Sequence, residues 1–245
     1  MTAGLLLYLV AIFVGTLAGG LIPLARNWSS RGLLIPVSFS GGVLLGAAFF
    51  HMIPEAAQLL GRALGWPLLA GFLTIFTLER FVLVHPVPEE AAEHGRPHHL
   101  HFGLAAYFGL SFHSLLDGIA VTSAYERPDL GGVVLLAVIF HKIPDAFALA
   151  GLLMLDRWPK RAIAFLLSIF ALITPIGAML TWFALDPGRS SIVAGAVALS
   201  AGTFLAVATS DILPQLRRFD HQRLMPMVAL FVGIAFSWMG RLIEG

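Results

Sequence analysis

The chain has 245 residues, 58% of them hydrophobic and only 12% charged, with a formal net charge of +1 and a mean hydropathy of +0.87. A soluble domain carries about twice that density of charge, so the composition excludes an ordinary water-soluble protein, and the near-neutral balance gives no electrostatic reason to expect nucleic acid as a partner. Cysteine is absent, which excludes thiolate metal sites and disulfides alike.

The apolar runs far exceed the strands of a membrane barrel, so the predicted fold is an all-α membrane protein: eight transmembrane helices in a single transmembrane domain over residues 1–245. The first span, 4–24, follows no basic n-region and precedes no small-residue cleavage site, so it reads as a retained span rather than a signal peptide. It carries Gly15-x-x-x-Gly19, a close-packing pattern repeated as Gly42-x-x-x-Gly46 in the second span, 33–60. That second span is long for a bilayer and must tilt, protrude or kink at Pro54; it also holds His51 and Glu55, four residues apart. After the third span, 64–84, a polar loop from 85 to 101 holds five of the nine histidines, His85, His94, His98, His99 and His101, among Glu89, Glu90 and Glu93. The fourth span, 102–124, contains Phe112-His113-Ser114-Leu115-Leu116-Asp117, and the fifth, 130–155, contains Phe140-His141-Lys142-Ile143-Pro144-Asp145. Spans at 161–185, at 190–216 (with Ser210 and Asp211) and at 224–243 complete the set, separated by short connections with breakers such as Arg127-Pro128, Trp158-Pro159 and Asp186-Pro187-Gly188.

Loop charge sets the expected orientation. The loops after the odd-numbered spans hold ten basic residues (Arg26, Arg31, Arg80, Arg96, Arg157, Lys160, Arg161, Arg217, Arg218 and Arg223), the opposite side holds four, and Lys142 within a span completes the fifteen. The positive-inside rule then predicts a multi-pass protein of the cell membrane with odd-numbered loops in the cytoplasm and both termini outside.

An internal symmetry underlies the pattern. Shifted by 160 residues, the second span falls on the seventh: Ser40, Gly42 and Pro54 recur as Ser200, Gly202 and Pro214, and His51 and Glu55 meet Asp211 and Gln215. The fourth and fifth spans share Phe-His-x-x-x-Asp at an offset of 28. In the predicted orientation both pairs run in opposite directions, as inverted-topology repeats do, and such repeats place a substrate site near the midplane.

The chemistry concentrates in the fourth and fifth spans. His113 and Asp117 share one helix face, as do His141 and Asp145. A carboxylate at bilayer depth costs several kcal/mol and is retained with a partner or a function. A single His–Asp pair would read as hydrogen-bonded glue between helices; two matching pairs on adjacent spans read as a metal site with His113, Asp117, His141 and Asp145 as ligands. Imidazole and carboxylate together suit Zn, Fe, Mn, Co or Cd, and without thiolate the site is not specialised for Cu(I). Lys142 is expected to pair with Asp117 or Asp145, or with Glu55 or Asp211, either as a structural salt bridge or as a fixed charge standing where a second metal would bind. Pro144 interrupts the helical ladder beside the site, and Gly118 permits close approach of a neighbouring helix. His51, Glu55, Ser210 and Asp211 either line a route to the site or bridge helices. His94, His98, His99 and His101 either bind metal loosely or belong to a solvated loop.

These residues resemble the ZIP (Zrt/Irt-like) family of divalent-metal transporters, prokaryotic type. The family's fourth-span pattern, His-Asn-x-x-Glu/Asp-Gly, is similar to His113-Ser114-Leu115-Leu116-Asp117-Gly118; its fifth-span pattern, His-Glu-x-Pro-His/Glu, is similar to His141-Lys142-Ile143-Pro144-Asp145. His51-x-x-Pro54-Glu55 and the stretch from Gly202-Thr203-Phe204 through Asp211-x-x-Pro214 also resemble family features. The resemblance implies import of Zn2+ or a similar ion toward the cytoplasm, often through a binuclear site, by an elevator-like motion of the second, fourth, fifth and seventh spans. The metal is then a transported substrate and no resident cofactor is expected; the partners are the divalent ion, the lipid bilayer and, as a candidate, a second copy of the chain in a homodimer. Two departures touch the second metal position: Ser114 replaces Asn, and Lys142 replaces a polar or acidic residue, which points to a mononuclear site. Asp rather than Glu at positions 117 and 145 also shortens reach.

Two other functions compete. An intramembrane metal-dependent hydrolase would use the histidines and an acid to hold Zn2+ and activate water, but the chain has neither His-Glu-x-x-His nor a Gly-x-Ser-x-Gly elbow. A transport-dead metal sensor locked by Lys142 is the other. No enzymatic activity is expected.

Overall fold

The structure, a computed structural model, describes residues 2–78, 81, 102–125, 131–184, 190–214 and 224–244. Among these residues there are nine α-helices and no strand. They are α1 (Ala3–Ala25), α2 (Ser30–Gly46), α3 (Ile53–Leu60), α4 (Gly65–Thr77), α5 (Phe102–Tyr125), α6 (Gly131–Leu155), α7 (Lys160–Ala184), α8 (Ser190–Ala206) and α9 (Leu224–Glu244). Helix α2 starts at Ser30, three residues before the expected span, because Ser29 caps it, its hydroxyl accepting the Gly32 N–H at 3.0 Å. Thr2 caps α1 in the same way, accepting the Leu5 N–H. At the other end of α1 the orphan carbonyls are taken up by side chains: Trp28 Nε1 donates to Pro23 O at 3.0 Å and Lys160 Nζ to Leu24 O at 2.8 Å.

Helices α2 and α3 are joined by a π-helical turn, Ala47–Met52, and α8 runs into a second one, Val207–Ile212. Both turns precede a proline. Proline lacks an N–H and its ring collides with the carbonyl four residues back, so the widened turn absorbs the misfit. The residue before each proline bonds five back, Ile53 N–H to Ala48 O and Leu213 N–H to Ala208 O. Helices α2 and α8 are both 17 residues long, and helices, turns and bonds alike are related by the shift of 160 read from the sequence.

Six stretches are long and apolar enough to cross a membrane, and Ala194–Ser210 is a shorter apolar helix. One of the six, Gly32–Thr77, has 46 residues and is broken by a tight turn at Gly61, whose φ of 51° lies in the left-handed region that favours glycine.

Packing divides the helices into two groups. Helices α1, α5, α6 and α7 pack on one another, and α2, α3, α4, α8 and α9 form the second set, in which α2 lies along α9 and α4 along α8. Within the groups backbones touch: Gly19 lies against the Ile143 backbone, Gly118 against Thr174 and Ala178, Gly42 against Leu230 and Ile234, and Gly71 against Leu199. The Gly15-x-x-x-Gly19 and Gly42-x-x-x-Gly46 patterns thus mark real close approaches. Between the groups, along α2/α6 and α5/α8, glycines meet side chains only: Gly151 faces Val37 and Leu33, and Gly109 faces Val207 and Ile75.

The contacts also sort the helix ends by face. Thr2 at the start of α1 donates to the Tyr125 hydroxyl at the end of α5, at 2.8 Å. On the opposite face the Gly103 N–H at the start of α5 donates to Asp156 Oδ2 at 2.7 Å, near the end of α6, and Lys160 at the start of α7 reaches Leu24 in the last turn of α1 and Asn27 just beyond it. This is the alternation expected of successive crossings.

Candidate metal centre

The site forms where α5 and α6 meet halfway along their lengths, against α8. His113 and Asp117 are one turn apart on α5, so their side chains stack on the face turned to α6. Asp117 Oδ2 lies 3.2 Å from His113 Nε2 and 3.3 Å from His141 Nε2, and the two Nε2 atoms are 3.4 Å apart. These three atoms make a nearly equilateral triangle. A tetrahedral ion about 2.05 Å from its ligands requires ligand–ligand edges of about 3.3 Å. The triangle therefore has the dimensions of one face of a zinc tetrahedron. His113, Asp117 and His141 are the group of His and acidic side chains, among the described residues, whose ligand atoms converge in this way.

The surroundings orient the ligands. His113 Nδ1 lies 2.9 Å from Ser200 Oγ on α8; an imidazole that donates there presents a bare Nε2 to the triangle. The Phe204 ring covers His113, with centroids 4.1 Å apart. His113 and Asp117 are buried, whereas the His141 side chain keeps 23% of its surface exposed. One ligand thus keeps part of its surface exposed while the others are enclosed.

Lys142 is wholly buried, at 0% exposure. Of the four acids the sequence offers it, Asp117 is the partner: Nζ lies 2.7 Å from the same Oδ2 that belongs to the triangle. Nζ also donates to Ser114 Oγ at 2.6 Å, Ser114 passes its own proton to Leu110 O at 2.8 Å, and the Phe170 ring lies 5.4 Å away. The two residues at which the chain departs from the family pattern, Ser114 and Lys142, are thus in contact with each other.

Asp145 does not join the triangle. It is wholly buried on α6 and both its oxygens lack a hydrogen-bond partner. Its mate by the 28-residue offset, Asp117, holds all the bonds. His51 Nε2 lies 3.0 Å from Ser237 O on α9, so this residue ties α9 to the π-helical turn. Glu55 is exposed at the start of α3 and Ser210 is half-buried in the second π-helical turn. The Asp211 side chain and His85, His94, His98, His99 and His101 lie outside the described residues. Sequence reasoning did not single out Ser200 and Phe204 as parts of the site. Ser200 carried a signal all the same, as the mate of Ser40 at the 160-residue offset.

Residues 3–102 and 88–239, two overlapping stretches that together cover nearly the whole chain, match the ZIP zinc transporter family. The chain belongs to the ZIP zinc transporter family. Among its relatives, the zinc transporter ZIP9-A of Xenopus laevis is 27% identical over 258 residues, covering 86% of this chain and 84% of that protein. The zinc transporter ZIP1 of Takifugu rubripes is 28% identical over 295 residues, covering 95% of this chain and 96% of the relative. Membership gives no support to the hydrolase reading.

Proposed function

We propose that the protein carries a divalent transition-metal ion, Zn2+ above all, across the cell membrane toward the cytoplasm, and that His113, Asp117 and His141 hold the ion on the way. The observation that carries this is the triangle of two Nε2 atoms and Oδ2, with edges of 3.2, 3.3 and 3.4 Å at the middle of the helices. Iron, manganese and cadmium suit the same donors. The relatives, named as zinc transporters, favour the same reading over a hydrolase or a sensor.

The transmembrane unit is proposed to make eight crossings. Gly32–Thr77, at about 1.5 Å per residue, would extend about 69 Å, more than twice the ~30 Å of a bilayer core. Turning at Gly61, it supplies two crossings, and α8 another. The centre is proposed to hold one ion, because the Lys142 side chain, 2.7 Å from Asp117 Oδ2, stands where a second would sit. Both termini are proposed to lie outside, on the face of Thr2 and Tyr125. Movement is proposed between the two helix groups, since backbone contacts tie each group internally while side chains alone separate them. In that division α5 and α6, which carry the ligands, move against α2 and α8 rather than with them.

Uptake of radioactive Zn2+ into proteoliposomes tests the proposal. Wild-type protein is expected to show saturable uptake, and His113→Ala to abolish it with expression intact. Absence of wild-type uptake would refute transport; undiminished uptake by both His113→Ala and Asp117→Ala would refute the site.

A further inference from the structure

The inverted repeat assigns mates: Ser200 to Ser40 at an offset of 160, and His113 to His141 and Asp117 to Asp145 at an offset of 28. In this conformation the two mates of each pair are differently placed. His113 is enclosed and bonded to Ser200 at 2.9 Å, whereas His141 is 23% exposed and its Nε2 turns to Asp117 and His113. Asp117 is bonded to Lys142, and Asp145 has no hydrogen-bond partner.

Ser40 is the telling member. It is 1% exposed on α2 and its hydroxyl has no partner. A buried serine in a helix ordinarily satisfies its hydroxyl on its own carbonyl four residues back, as Ser38 does on Leu34 at 2.6 Å and Ser114 on Leu110 at 2.8 Å. Ser40, two residues from Ser38, forgoes that bond, and an unsatisfied buried hydroxyl is retained against a free-energy cost. The contact Ser200–His113 maps, through the two offsets, onto Ser40–His141. The interfaces correspond as well, for α2 packs on α6 as α8 packs on α5.

We propose that Ser40 and Ser200 are alternating positioning residues: Ser200 holds the His113 ring in this conformation, and Ser40 holds the His141 ring in the conformation open to the other side. This rests on the transport reading. Inverted repeats reach their two states by exchanging the roles of their halves. Each serine, standing on the group that carries no ligand, accepts Nδ1–H from one histidine and leaves its Nε2 bare for the ion. The histidine without a serine at its ring is the more exposed one. The orphaned hydroxyl of Ser40 is then a group whose partner arrives in the other state.

The chain has no cysteine, so spin labels at Trp66→Cys on α4 and Phe183→Cys on α7 report only the separation of the two groups; both positions are exposed, at 78% and 79%. Pulsed electron–electron distance measurements in liposomes, with Zn2+ absent, give the populations. A ligand or contact present in one state alone shifts the equilibrium toward it. Ser200→Ala is expected to shift the population ratio about three- to tenfold away from this conformation, the size of one net hydrogen bond. Ser40→Ala added to Ser200→Ala is expected to return the ratio toward wild type. Ser40→Thr and Ser200→Thr, which keep the hydroxyl, are expected to stay within about twofold of it. Shifts of the same sign from both alanine changes, or no shift from either, would overturn the inference. Wild-type uptake of Zn2+, measured in parallel, separates the two claims: its absence removes the transport reading, while opposed shifts of the distances still establish the serines.

Discussion

Lys142 offers the sharpest quantitative test of the centre. Its Nζ is 2.7 Å from Asp117 Oδ2. An ion bound at about 2.1 Å from that oxygen stands about 4 Å from the ammonium. A single and a double positive charge at ~4 Å, in a medium of effective dielectric constant ~20, repel by about 8 kcal/mol. On the proposed reading this repulsion weakens retention of the ion, which suits one that must leave. Lys142→Met removes the repulsion and frees Asp117 for the metal. If a third of the Coulomb figure is realised, Zn2+ binds about 100-fold more tightly. The same change leaves a buried carboxylate uncompensated, so the metal-free protein is expected to lose about 3–5 kcal/mol of stability, and the metal-loaded protein to recover most of it. Equilibrium binding and thermal unfolding with and without Zn2+ give both numbers. Elemental analysis, on full-length protein with the five loop histidines changed to alanine, gives the count of ions: one in the native form and two in Lys142→Glu. Unchanged or weaker affinity in a folded Lys142→Met variant would refute the electrostatic argument, and two ions per wild-type chain would refute the single-ion centre.

Two further predictions follow from the orientation and the packing. A cysteine at Arg96 should react only with reagent added on the cytoplasmic side and one at Gly245 only from outside; the reverse pattern would invert the direction of transport. Gly118→Leu should destabilise the protein by roughly 1–3 kcal/mol, because a side chain there meets the backbone of Thr174 and Ala178 on α7, whereas Gly195→Leu, in open space, should be neutral; equal melting temperatures for the two would contradict the close α5/α7 contact.

Most helices were legible because their determinants are local. Apolar runs of about 20 residues have one stable form in a bilayer, since every backbone N–H and C=O must be satisfied within the segment. Breakers and caps such as Ser29 then mark the ends. Even the repeat of 160 residues could be read, because Gly42 and Pro54 are placed by backbone geometry and so recur where the geometry recurs. The division into two helix groups was not legible. It depends on which glycine faces meet which backbones, and apolar helices of similar composition give no preference among the many pairings. The resemblance grouped the second and seventh spans with the fourth and fifth, while the contacts join α5 and α6 to α1 and α7.

The centre shows the same limit at finer scale. The motifs place His113 and Asp117 on one face and His141 and Asp145 on another, and the 28-residue offset makes the two aspartates formally equivalent. Nothing in that symmetry says which of them closes a triangle with the histidines. Among the polar positions of the two motifs the symmetry is broken at Ser114 and Lys142. A single buried ammonium seeks one carboxylate and one neutral acceptor, and it finds Asp117 at 2.7 Å and Ser114 at 2.6 Å on the facing helix α5. That bond draws Asp117 Oδ2 into reach of both imidazoles and leaves Asp145 without a partner. The departure from the family pattern that bears on the number of ions is therefore also what gives a pseudo-symmetric site its direction.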